Sequence, residues 1–156
     1  MFGKGASDYL RFQRAVLVAL VVVGLARIVL SVMGVPSSVV RWFSLNLVAF
    51  PAAFYYGWAT WRRGFGSYRQ VLGLAFFRAL VFHGVAILGI LLAIAGFPNL
   101  FAAPEFGGGP DTNQWLHIAA HLAVGIPATS LIWWALGSIA LAVTRRRSAR
   151  PAAASA

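Results

Sequence analysis

"VLGLAFFRALVFHGVAILGILLAIA", residues 71–95, runs for 25 positions with one arginine and one histidine as its only ionisable side chains. About 20 residues at 1.5 Å each cross a hydrocarbon core of roughly 30 Å. The stretch is therefore long enough to span a bilayer, and it is apolar on every face. Three more stretches share that character, at 15–33, 42–61 and 115–143. The breaks between them carry turn chemistry: "GVPSS" (34–38), "RRGFGSYR" (62–69) and "GFPNLFAAPEFGGGPDTN" (96–113). The pattern predicts an all-α integral membrane protein, a four-helix transmembrane bundle in the region 15–143. Pro51 and Pro127 fall inside the second and fourth spans, where kinks are expected and neighbouring helices can satisfy the freed carbonyls.

Composition leads the same way. The 156-residue chain is 60% hydrophobic and 10% charged, against about 25% charged in a soluble domain. Its net charge of +10 is no nucleic-acid signature, because the basic residues flank apolar runs instead of forming a stripe interleaved with exposed aromatics. Their placement suits anionic headgroups and the positive-inside rule. With no cysteine, thiolate metal sites, CxxC redox chemistry and cysteine nucleophiles are excluded.

Charge also orients the bundle. Lys4, Arg11 and Arg14 precede the first span, Arg62, Arg63 and Arg69 join the second to the third, and "RRRSAR" (145–150) follows the fourth. The loop 96–114 holds Glu105 and Asp111 and no basic residue. Both termini are expected in the cytoplasm, of a bacterial plasma membrane, with 96–114 outside and Arg41 as the one exception. Residues 1–14 read as a basic tail, and 144–156 as a basic, disordered one. The first span has the basic start of a signal peptide. Yet apolarity continues for six residues beyond Arg27, and twelve Leu, Ile or Val side chains outweigh one arginine; a retained helix is the expectation.

Ionisable groups inside a bilayer are costly and mark function or pairing. Counting along each span puts Arg27, Asn46, His83 and His121 at matching depths, roughly 20 Å from the cytoplasmic side. His117 sits one turn above His121, on the same helix face. His83, His117 and His121 are candidate metal ligands, with Glu105 or Asp111 as a fourth donor, and His83 with His121 is a candidate haem clamp. "HIAAH" lacks the general base of HExxH. The competing reading has the histidines hydrogen-bonding across helices, Asn46 bonding one of them and Arg27 pairing with a loop carboxylate. Arg78, lower in the third span, is a candidate site for an anion or lipid headgroup, although snorkelling would also satisfy it. Small residues repeat along the third span, and Ala75/Ala79, Gly89/Ala93 and Ala119/Ala123 have the spacing of close helix contacts.

No Ser-His-Asp set, carboxylate pair or nucleotide motif appears, so the reading leans away from an enzyme. The leading expectation is a structural or accessory membrane bundle whose partners are lipid, a second copy or a larger membrane complex. A histidine-based metal or haem protein stands second, and a carrier of protons, ions or lipids third.

Overall fold

A computed structural model describes residues 1–98, 100 and 113–153, with side chains through residue 148. It is all-helical among those residues. In chain order the helices are α1 (Ala6–Phe12), α2 (Arg14–Val32), α3 (Ser37–Val40), α4 (Leu45–Arg62), α5 (Tyr68–Ile94) and α6 (Gln114–Ala120). A five-residue π segment (His121–Gly125) then leads into α7 (Ile126–Ala153). Three helices are long and apolar enough to cross a membrane: α2, α5 and the continuous helix Gln114–Ser148. α4 has 18 residues, but Asn46, Pro51, Tyr55, Tyr56 and two tryptophans dilute its apolarity, and it does not reach that measure.

The burial pattern leaves many large apolar side chains exposed, which is compatible with a membrane protein. α2 shows Val18, Val22, Leu25 and Val29 on its exposed face, and α4 shows Leu47, Phe50, Phe54 and Trp58. These spacings of three and four residues form one stripe along each helix. The inward faces carry many small residues, Ala49, Ala52, Ala53 and Ala59 on α4 and Ala75, Ala79, Ala86 and Ala93 on α5, beside larger ones such as Leu45, Tyr56, Leu74 and Ile90. Small residues permit close backbone approach, which lets dispersion contacts accumulate between helices.

α7 packs along both α4 and α5, while α2 closes the opposite side against the same two helices; among the described residues α2 and α7 do not meet. The α4–α7 contact is the closest. A Cβ added at Gly57 would land on the Gly137 backbone, and one at Gly137 would lie 2.7 Å from Val71 Cγ1 and 3.0 Å from the Ala53 carbonyl oxygen. Neither glycine belongs to the small-residue pairs that the sequence singles out. Of those pairs, Ala119 and Ala123 are exposed.

Three differences from expectation have physical causes. Residues 1–14 contain helix α1, because Tyr9 inserts its ring against Gly73 and between Phe65 and Phe77, at centroid distances of 5.6 Å from each ring. Asp8 stabilises the start of α1 by accepting from the Gly5 N–H. The 34–38 turn runs directly into α3, whose first turn is bonded to the Pro36 carbonyl. Finally, α7 continues past Val143 to Ala153, through residues 144–153 that the sequence reads as a disordered tail. Arginine and alanine are strong helix formers, and cations near a helix C-terminus interact well with its dipole.

Gly57→Ala is expected to cost about 1–3 kcal/mol by overpacking, read as a lower unfolding midpoint in detergent. Gly84→Ala is the control. Its Cβ meets nothing within 4 Å, so it should be neutral or stabilise by about 0.5–1 kcal/mol. Equal midpoints for the two variants would refute the close α4–α7 contact.

Candidate functional site

The interior polar groups converge where α5 meets the bulged helix. Pro127 follows the π segment by two residues. A proline ring clashes with the carbonyl four residues before it, here that of Ala123 inside the bulge, and a π turn relieves that clash by widening the ring of backbone bonds. Such bulges are frequent at functional sites. Gly125, at the end of the bulge, supplies the space beside α5: a Cβ there would lie 2.6 Å from His83 Cε1 and 3.0 Å from His83 Nδ1.

Into that space His83 projects, 4% exposed. Its Nδ1 lies 2.7 Å from His121 Nδ1, and its Nε2 lies 3.1 Å from Thr129 Oγ1. We assign the direction of these bonds by donor counting. The Thr129 hydroxyl donates to the Gly125 carbonyl at 2.8 Å, so its oxygen accepts from His83 Nε2–H. A neutral His83 then presents a lone pair at Nδ1, which accepts from His121 Nδ1–H. The remaining nitrogen, His121 Nε2, is thereby left with its lone pair. It is buried and has no hydrogen-bond partner among the described residues. His117 lies beside it, with ring centroids 4.9 Å apart and planes 26° from parallel, and its Nδ1 is also buried without a partner.

The other residues singled out in the sequence go elsewhere. Arg27 is 6% exposed and donates from Nη1 to the carbonyls of Val40 and Phe43, at 3.3 and 3.4 Å. It thus ties the α3 connection to α2. Asn46 is exposed on α4, where its backbone N–H donates to Ser44 Oγ in the N-cap. Arg78 does not snorkel: it is 1% exposed, with its guanidinium carbon 5.0 Å from the centre of the Trp133 ring. Stacking on the aromatic face offers a buried guanidinium partial compensation that the aliphatic walls cannot. Glu105 and Asp111 lie outside the described residues.

The geometry discriminates among ligands. Metal–imidazole bonds are about 2.0–2.1 Å, so an ion clamped linearly between two ring nitrogens sets them roughly 4 Å apart, and tetrahedral ligands roughly 3.3 Å. The His83 and His121 Nδ1 atoms, at 2.7 Å, suit a shared proton and leave no room for a haem iron between them. The open nitrogens are instead on His117 and His121. Among the described residues, no group of three metal-ligating side chains surrounds a common point. Sequence reasoning missed Thr129 as the residue that orients the relay, and Gly125 as the gap that admits His83. The i+4 spacing of Gly125 and Thr129 was the available signal.

No family model, characterised protein or solved structure matches this chain.

Gly125→Ala should destabilise by about 1–3 kcal/mol, and His83→Ala should largely suppress that defect, because it removes the ring on which the new methyl collides. A double-mutant cycle between His83 and His121 should show coupling of about 0.6–1.7 kcal/mol. Additive single effects in both pairs would contradict the arrangement.

Proposed function

We propose that this chain is a small multi-pass membrane protein that crosses the bilayer four times with both termini in the cytoplasm, and that its histidine relay presents a binding site for a divalent transition-metal ion. The relay is the observation that carries the reading. Thr129 and His83 hold His121 in the tautomer whose Nε2 lone pair is free, which is how hydrogen-bonding partners orient imidazole ligands. His117, one turn away on the same face, is the second ligand. Two imidazoles without thiolates suit zinc, copper or nickel. The remaining positions would fall to water or to a carboxylate of the 96–114 loop. No catalytic step is assigned to this site, and the chain acts as an accessory or metal-holding component.

A second reading treats the same network as structural, a cross-helix bond locking α5 to the bulged helix. It is favoured by the saturation of His83, both of whose ring nitrogens are engaged within the bundle.

Elemental analysis of dialysed, detergent-purified protein after loading with zinc, copper or nickel should give near one ion per chain. His121→Ala should abolish binding, and His83→Ala should weaken it by about 10–100-fold. Retention of no ion above the buffer blank would leave the structural reading standing. Topology is separately testable because the chain has no cysteine. With the outer face of intact cells exposed to an impermeant thiol reagent, Gly108→Cys should label and Ser148→Cys should not. The reverse pattern would invert the assigned orientation.

A further inference from the structure

A cavity of about 570 Å³ opens between the α1–α2 junction and α4. Arg11, Arg14 and Arg63 line it at one end, with Tyr55 beside them. Pro51 and Arg63, which caps the C-terminus of α4, are twelve residues apart, a backbone rise of roughly 18 Å, and the Arg63 side chain reaches back along α4 to Tyr55. Away from the arginines the cavity wall is formed by Ala15, Val16, Pro51 and Ala52, with the Tyr56 phenol as the polar group among them.

Among the described residues the cationic end has no carboxylate counter-ion. Asp8, the only side-chain carboxylate among the described residues, does not line the cavity and accepts from Gly5 N–H instead. Arg63 is held in place: its Nη2 donates to Tyr55 Oη at 2.8 Å, and its guanidinium carbon lies 5.9 Å from the Phe12 ring centre. Arg14 opens α2, whose first turn contains no acidic residue and whose N-cap, Gln13, makes no side-chain capping bond. A cation at a helix N-terminus opposes the helix dipole, and an anion bound there would relieve both. Three guanidinium groups lining one cavity offer the kind of donors that the oxygens of a phosphate accept.

We propose that this groove binds one anionic glycerophospholipid, its phosphate among Arg11, Arg14 and Arg63 and an acyl chain along Val16, Pro51 and Ala52. The combination of a cationic foot and an apolar wall selects a lipid over free phosphate, which would use the foot alone. The proposal rests on the membrane embedding stated above and is independent of the metal site.

Native mass spectrometry of the full-length protein, released from detergent in the presence of dioleoylphosphatidylglycerol or dioleoylphosphatidylcholine, tests it. The anionic lipid should be retained at least about five-fold more than the zwitterionic one, a preference of about 1 kcal/mol. The triple variant Arg11→Gln, Arg14→Gln, Arg63→Gln should lose that preference. Removal of the same charge elsewhere, by Arg145→Gln, Arg146→Gln and Arg147→Gln, should keep it. Should the triple variant fail to give a monodisperse, helical sample, Arg63→Gln alone is read for a partial loss in the same direction. Equal retention of the two lipids, an unchanged preference in the groove variant, or equal loss in the tail variant would overturn the proposal. Displacement of the lipid by millimolar inorganic phosphate would overturn it in favour of a free-phosphate site. Carbonate extraction of membranes separates the two levels of inference. Release of the protein would defeat the embedding itself, whereas retention in the pellet with no lipid preference would defeat only the groove.

Discussion

The closeness of α7 to α4 and α5 is the constraint on which the rest of this structure depends. Gly57 and Gly137 bring two backbones together where a single methyl would meet a carbonyl. Alanines continue the approach along α4 and α5. Many large apolar side chains, Val18, Val22, Leu47, Phe50 and Phe54 among them, are exposed on the outer faces. The interior combines alanines and glycines at the closest contacts with larger buried side chains such as Leu20, Leu74, Ile90 and Trp133. Close packing also confines the interior polar groups to the partners within reach, and some of them, His121 Nε2 and His117 Nδ1 included, find none among the described residues.

The polar interior follows from that confinement. Pro127 disrupts the regular bond pattern just where Gly125 leaves room, and the bulge sets His121 against His83 across the helix seam. Thr129, one turn on, completes a directional chain from a backbone carbonyl to a ring nitrogen. Proline, glycine, threonine and the two histidines therefore act as one unit. Arg27 and Arg78 are buried in separate settings, one with backbone carbonyls and the other against an indole face, with Arg78 Nε and Nη1 lacking a hydrogen-bond partner among the described residues. Burial that is met in three different ways argues that the histidine seam is a local construction and not part of a continuous polar layer.

Much of this was legible in the sequence, and what was not has clear reasons. Hydropathy and length place the apolar helices well, since that signal depends on composition alone. The convergence of His83 and His121 was readable as a match of depth, but Asn46 had the same depth and faces outward. Depth along a span says nothing of rotation about its axis, and apolar helices with no polar face leave that rotation unmarked. Tyr9 escaped notice because one aromatic in a basic tail looks like surface until Gly73, sixty-four positions away, is seen to make its pocket. The basic groove likewise joins Arg14 to Arg63 through tertiary packing that no local pattern records.

The account turns on one bond, between His83 and His121, and the chain suits a direct observation of it because it contains only three histidines. Nuclear magnetic resonance of protein labelled with nitrogen-15 in histidine, in micelles or nanodiscs, can detect scalar coupling across an N–H···N hydrogen bond. The account predicts coupling between the two Nδ1 nuclei, with the proton on His121, His83 protonated at Nε2, and loss of the signal in His121→Ala. Two uncoupled rings, each exchanging its Nδ1 proton freely with water, would contradict it.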